Sequence, residues 1–547
     1  MASGPLIIQS DQTILLDTHA EEAEAARAAI LPFAELEKSP EHVHTYRISP
    51  LSLWNAAAAG LEAASVRETL ERYSRYPVQE GLFDGLSSLM ARYGRLVMRG
   101  GEGDSLRLEA ADEALRTEIA ASRPLRKYLQ PAGEHFALAL RDRGTVKREL
   151  IRLGWPVADE APLIAGEDMD ISLKEGAGFA PRNYQREAAA AVLGSGGPGS
   201  GYGVVVLPCG AGKTVVGMCV MAALKTNTLI LCTNAAAVHQ WISELLDKTT
   251  LAPDEIAEYS GTRKGTAPVT VATYQIITWR PKREEVFPHF ALFRERPWGL
   301  IIYDEVHLLP APLFRITAEL QAVRRLGLTA TLVREDGEED AVFSLVGPKR
   351  YDAPWKDLEQ KGWIASAYCT EIRIALPEEL RIPYAAAPPR EKCRLAGENP
   401  RKDEAVADLV ANHPDEQIIV IGQYLAQLEG IARRLGAPLI TGKMRNDERE
   451  KHYAAFKRGE TRVIVTSKVA NFAIDLPDAS MAIQVSGAFG SRQEEAQRLG
   501  RILRPKKRDA LFFTLVSHCT VEEDFSLRRR QFLAEQGYKY RIQHWEG

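Results

Sequence analysis

From residue 182 onward, apolar positions fall into short unbroken runs separated by stretches with helical spacing. The runs at 203–207, 228–233, 269–273, 300–304 and 325–330 have strand length and are mostly apolar. Such runs predict strands buried on both faces, and therefore a parallel sheet covered by helices. A linker with Trp355, Trp363, Pro377, Pro383, Pro388 and Pro389 follows. A second alternation then begins, with strands near 417–422, 438–441, 462–467, 480–485 and 510–516. Two α/β domains in tandem are predicted.

Before residue 182 the pattern is mixed. Leu6-Ile7-Ile8 and Thr13-Ile14-Leu15-Leu16 read as a short hairpin. Helical spacing follows at 21–36, 51–60, 64–74 and 82–92, and Arg95–Arg99 and Ser105–Glu109 flank a glycine-rich turn as a second hairpin. Helices closed by a hairpin resemble a winged helix. Its helix at 82–92 carries only Asp84 and Arg92 as charges, which suits a protein contact or regulation better than phosphate reading. Residues 105–171 form a further small unit, with a strand at 135–140, a helix at 144–153 and an acidic, glycine-containing linker from 159. The expected division is 1–104 (winged-helix-like accessory domain), 105–171 (small domain), 172–356 (first α/β domain) and 357–547 (second α/β domain).

Composition narrows the classes. A chain of 547 residues exceeds a single core. A net charge of -4 excludes a polycation, so any nucleic-acid surface is local, as at Arg504-Pro505-Lys506-Lys507-Arg508 and Arg528-Arg529-Arg530. The six cysteines form no C-x-x-C pair, which argues against a zinc site or a disulfide framework. His42 and His44 lack further ligands and read as structural. No run of eighteen apolar residues and no basic-then-apolar leader occurs, so no membrane association and a cytoplasmic chain are expected, at the nucleoid in a bacterium.

The candidate chemistry sits where strands end. The run Gly203–Leu207 leads into Pro208, Cys209, Gly210, Ala211, Gly212, Lys213 and Thr214, with a helix to follow. Small residues there let backbone N–H groups surround phosphates at a helix N-terminus. Lys213 suits the β- and γ-phosphates of ATP and the Thr214 hydroxyl suits Mg2+. Leu207 stands where the P-loop pattern has its first glycine. The strand ending at Tyr303 delivers Asp304, suited to Mg2+, and Glu305, suited to orienting the attacking water. Arg501 and Arg504, three apart, share a helix face and can stabilise phosphoryl charge.

Together these motifs resemble superfamily 2 helicases. The resemblance implies RecA-like folds for both α/β domains, ATP at their interface and a DNA track across both. It implies adenine recognition by Arg182 and Gln185, coupling by His307, Thr329 and Thr331, and strand contacts by Thr233, Thr273, Ser467 and Lys468. It adds Asp475 to the ATP set and Gln497 to the catalytic set, with Ala473 where the family has a glycine. Arg334-Glu335-Asp336, directly after Leu332-Val333, narrows the resemblance to the XPB family. Gly362-Trp363-Ile364-Ala365 and Gly490-Ser491-Arg492-Gln493-Glu494-Glu495 continue it, and 376–399 corresponds to the family's thumb-like element. That family implies a 3′→5′ DNA helicase in repair, acting on single-stranded or forked DNA, with a nuclease or other repair protein as partner. A duplex translocase with little net unwinding, or a partner-recruiting module, remains the alternative.

Overall fold

The computed structural model describes residues 4–38, 42–103, 105–163, 165–176, 178–194, 200–208, 210–282, 287–309, 323–330, 339–353, 358–359, 361–363, 367–467, 479–486, 509–527 and 540–546. Two compact units divide the chain, the first made mainly of residues up to Ala353 and the second mainly of residues from Pro354 onward. Among the described residues no helix is long and apolar enough to cross a membrane.

The first unit is built on a seven-stranded sheet in the order Ile256–Tyr259, Val269–Thr273, Thr228–Cys232, Leu300–Asp304, Arg324–Thr329, Tyr202–Val206, Lys349–Asp352. Every pairing is parallel. The unbroken apolar runs have the burial expected of them: Leu229, Leu231, Ile301 and Tyr303 are fully buried. Because all strands point one way, Val206, Cys232, Thr273, Asp304 and Thr329 end on the same edge, with Val206 beside Thr329 and Asp304 beside Leu328. The two outermost strands, Ile256–Tyr259 and Lys349–Asp352, go beyond those expected.

Two smaller sheets precede it. Leu6–Ile8, Thr13–Asp17, Val43–Arg47 and Glu35–Lys38 form the first, and its core holds Leu6, Ile14, Tyr46, Leu53, Val66 and Phe83. The helical spacing at 21–36 resolves into a helix Ala23–Ile30 and the strand Glu35–Lys38. Pro32, which lacks an N–H, cannot extend the helical ladder between them. The hairpin of Leu96–Gly100 and Ser105–Ala110 forms in register. It does not close the preceding helices as a wing. It pairs onward with His135–Ala139 on one side and Val157–Asp159 on the other. Its inward residues Leu96, Met98, Leu106 and Leu108 share a core with Phe136, Leu138 and Leu150. A local turn pattern fixes a hairpin's own register but not the strands that flank it.

Polar contacts hold these small sheets to the start of strands in the seven-stranded sheet. Arg143 Nη2 donates to Asp159 Oδ1 at 2.7 Å and Lys147 Nζ donates to Asp159 Oδ2 at 2.8 Å. All three residues are buried. Tyr202 Oη donates to the Asp159 carbonyl at 3.2 Å, and the Arg325 guanidinium lies 5.1 Å from the Tyr202 ring centre. Burial pushes the Asp159 carboxyl upward, but Lys147 and Arg143 outweigh it and hold the group well below the usual carboxylate range. Burial lowers Lys147 to about 8 despite Asp159. The helix Arg143–Arg152 also packs on the helix Glu339–Leu345. From the first small sheet, Asn55 Oδ1 accepts the Lys349 backbone N–H at 2.9 Å and the Ala58 carbonyl accepts from Arg350 at 3.4 Å.

The second unit repeats the seven-stranded parallel plan, in the order Leu439–Ile440, Val463–Thr466, Ile418–Ile421, Met481–Gln484, Ala510–Ser517, Ala367–Ile374, Tyr540–Trp545. The proline-rich stretch expected as linker forms two helices, Glu378–Ala386 and Pro389–Gly397. Pro388 and Pro389 sit at the start of the second, where no intrahelical N–H is needed. Lys402 is buried and donates to the Val485 carbonyl at 2.8 Å and to Glu522 at 2.6 Å.

Two outcomes follow. Asp159→Ala leaves buried cations without their carboxylate, and the first unit should lose about 3–5 kcal/mol; thermal unfolding measures this. His44 is buried with no hydrogen-bond partner for Nδ1 among the described residues, and burial, then Arg27, lower its pKa to about 4. The unfolded chain therefore takes up this proton first, so His44's contribution is intact above the ordinary pKa and is lost as pH falls toward about 4. Melting curves between pH 7 and pH 5 (about one unit steps) should be less pH-sensitive in His44→Phe than in the parent.

Candidate nucleotide site

The strand Tyr202–Val206 hands the chain to Pro208, Gly210, Ala211 and Gly212, and the helix Lys213–Leu224 follows directly. Gly210 and Gly212 adopt φ of 80° and 77°, the left-handed region that side chains avoid. A Cβ on Gly212 would also come within 2.5 Å of Gln185 Nε2. Gln185 is thus turned toward the loop, with its Oε1 accepting the Arg182 backbone N–H at 2.8 Å. Thr214 lies in the first turn of the helix, beside Lys213.

Opposite the helix start, Lys213 Nζ meets Glu305 Oε1 at 3.2 Å. Glu305 has φ of 51°, a left-handed backbone that few non-glycine residues adopt and that recurs at functional sites. Burial pushes its carboxyl upward, but Lys213, His307 and the Ala330 backbone N–H outweigh that and keep it below the usual range. Glu305 Oε2 is buried without a hydrogen-bond partner among the described residues. Burial and then the Glu305 charge raise Asp304 to about 6, against Lys213 and a hydrogen bond from Trp241. One carboxylate is thereby favoured as an anion beside an ammonium, while burial and that charge disfavour the anion of its neighbour. A glycine loop at a helix N-terminus, an ammonium, a hydroxyl and two carboxylates match the donor set for a nucleotide's phosphates with a divalent metal.

His307 joins this group to the next strand. Its Nδ1 lies 2.6 Å from Thr329 Oγ1 and 3.5 Å from Glu305 Oε2. The structure therefore brings together Gln185, Gly212, Lys213, Asp304, Glu305, His307 and Thr329. Two residues expected to contact the strand, Thr273 and Thr233, are placed in this unit. Thr273 is buried and its hydroxyl caps the short helix Tyr274–Ile277. Thr233 is half-buried beside Asn234, which caps the helix Ala235–Lys248. Ser467, in the second unit, is buried. Cys209, Thr331, Arg334, Glu335, Asp336, Lys468, Asp475, Gln497, Arg501 and Arg504 lie outside the described residues. Two residues at the site escaped sequence reasoning. Tyr274 Oη donates to the Asp304 carbonyl at 2.9 Å, and Trp241 Nε1 donates to Asp304 Oδ2 at 3.1 Å. Tyr274 was legible only as part of a motif, and nothing in the sequence distinguishes Trp241 from the chain's other tryptophans.

Seven parallel strands, a glycine loop entering a helix and an acidic pair one strand away define a P-loop ATPase of helicase type. Known proteins narrow this. The profile described as ERCC3/RAD25/XPB C-terminal helicase matches residues 358–545. That of the type III restriction enzyme res subunit matches 178–334, and that of a helicase conserved C-terminal domain matches 6–132. "DNA 3'-5' helicase XPB" of Kineococcus radiotolerans is 54% identical over 546 residues, covering 99% of this chain and 97% of that protein. The protein of the same name from Mycobacterium tuberculosis is 52% identical, covering 99% and 98%. The Saccharomyces cerevisiae "General transcription and DNA repair factor IIH helicase/translocase subunit XPB/SSL2" is 32% identical, covering 99% and 72%. The chain belongs to the XPB family of DNA helicases, and so couples ATP use to work on DNA.

The His307–Thr329 contact gives a direct test. Thr329→Val keeps the shape and removes the hydroxyl, leaving a buried imidazole nitrogen unmatched. DNA-stimulated ATP turnover should fall about tenfold, the kinetic equivalent of one hydrogen bond, while nucleotide affinity stays within about twofold. Steady-state turnover with and without DNA, beside equilibrium nucleotide binding, measures both.

Proposed function

We propose that this chain is a 3′→5′ DNA helicase in which Lys213 and Glu305 are the ATP-hydrolysing pair. The observation that carries this reading is the 3.2 Å contact between Lys213 Nζ and Glu305 Oε1 at the end of a P-loop. The ammonium and the carboxylate form an ion pair. When phosphates enter, Lys213 turns to them and the Glu305 carboxylate is released to orient a water molecule. Thr214 and Asp304 would hold Mg2+, which would supply positive charge to the phosphates. Backbone N–H groups of Gly210, Ala211 and Gly212, with Pro208 and Cys209, line the phosphate loop, and Gln185 and Arg182 read adenine.

His307, Thr329 and Thr331 pass the state of the nucleotide to the DNA track, along which Thr233, Thr273, Ser467 and Lys468 contact the strand. Gln497, Arg501, Arg504 and Asp475 complete the hydrolytic set, and Arg334-Glu335-Asp336 engages the duplex junction. The regions 172–356 and 357–547 act as the two motor domains. The units before them act as accessory domains toward forked DNA and a nuclease or other repair protein, in the compartment that holds the chromosome. The wording "helicase/translocase" for the yeast relative supports one second reading, duplex translocation with little unwinding.

Glu305→Gln should bind ATP within about threefold of the parent and lose at least about a hundredfold in turnover, whereas Lys213→Ala should lose both. Near-parental turnover in Glu305→Gln removes the assignment. Strand displacement on a 3′-tailed duplex, run beside triplex displacement, separates unwinding from duplex translocation.

A further inference from the structure

Trp241 lies on the helix Ala235–Lys248, on an element that carries none of the phosphate-loop or carboxylate motifs. Its side chain is nevertheless in the site. The ring is 1% exposed and packs where Gly217 of the P-loop helix leaves room, since a Cβ there would meet Trp241 Cη2 at 2.6 Å. Its Nε1–H donates to Asp304 Oδ2 at 3.1 Å. Packing alone does not account for an indole here, because a phenyl ring fills much of the same space without a polar atom to satisfy. A buried indole N–H needs an acceptor, and this one has taken the carboxylate expected to face the metal.

We propose that Trp241 is a positioning residue for the metal-facing carboxylate of Asp304. The indole is a donor only. It can neither ligate a cation nor take a proton, so it holds one oxygen of Asp304 without competing for the other. Tyr274 Oη fixes the main chain of the same residue through its carbonyl at 2.9 Å. Backbone and side chain are thus held from two elements, Tyr274 from the segment after one strand and Trp241 from the helix after another. The helix bearing Trp241 starts at Asn234, directly after Thr233. The inference rests on the reading that Asp304 holds Mg2+ with the nucleotide.

The test uses the full chain and a fluorescent ATP analogue. Its affinity is measured in EDTA and then across a Mg2+ titration, for the parent, Trp241→Phe and Asp304→Asn, with thermal unfolding recorded alongside. Parent and Trp241→Phe should bind the analogue equally in EDTA. The Mg2+ concentration giving half of the affinity gain should rise about tenfold in Trp241→Phe, and saturating Mg2+ should restore binding. An unchanged Mg2+ midpoint, whatever the melting temperature, shows that the ring only packs and overturns the proposal. A parent whose affinity ignores Mg2+ overturns the magnesium reading, and this proposal falls with it. Should Trp241→Phe fail to fold, tryptophan emission of the nucleotide-saturated parent replaces it. A change on adding Mg2+ that is absent in Asp304→Asn supports the proposal, and no change in the parent overturns it.

Discussion

Two adjacent carboxylates at the half-buried end of a strand repel each other and lose part of their hydration together, and the site is organised around that problem. Each neighbour answers part of it. Lys213 comes from the start of one helix, His307 from the turn that follows the carboxylates, the Ala330 N–H from just past the next strand and Trp241 from the helix that follows the neighbouring strand Thr228–Cys232. The resulting asymmetry is chemical. Glu305 stays an anion, while Asp304 is destabilised as one and gains most from a bound cation. The two carboxylates at one strand end thus have opposite demands, which their neighbours meet separately.

The parallel sheet makes the solution possible. In an antiparallel sheet Val206, Asp304 and Thr329 would not all end together; here every strand delivers its last residue to one edge. This much was legible in the sequence, because a strand buried on both faces writes itself as an unbroken apolar run and a P-loop needs small residues at fixed spacing. The order of the strands was not legible, nor were edge strands such as Ile256–Tyr259 and Lys349–Asp352, whose half-buried positions dilute the signal.

What escaped reading has a common physical cause: it depends on partners far away in the chain. The hairpin at Leu96–Ala110 was correct as a hairpin but assigned to the wrong neighbours. Pro383 and the Pro388-Pro389 pair suggested a linker, yet Pro388 and Pro389 sit at a helix start, which tolerates proline, and Pro383 lies inside the helix Glu378–Ala386. The buried Asp159, Arg143 and Lys147 look like ordinary surface charges in sequence. Only the fold shows that the start of one helicase strand supplies the aromatic floor beneath them. Trp241 belongs to the same group, since an indole's partner is invisible until the helix and the strand are side by side.

Glu305 carries a further cost in its backbone. A left-handed glutamate is less favourable than an ordinary one by about 1–2 kcal/mol, whereas asparagine or glycine tolerates the same angles far better. The position is therefore a point of conflict between durability and turnover. Sequence drift toward a more comfortable residue would relax the turn and remove the carboxylate in one step, so a heat-resistant descendant that has settled this residue's backbone will also have lost the partner of Lys213.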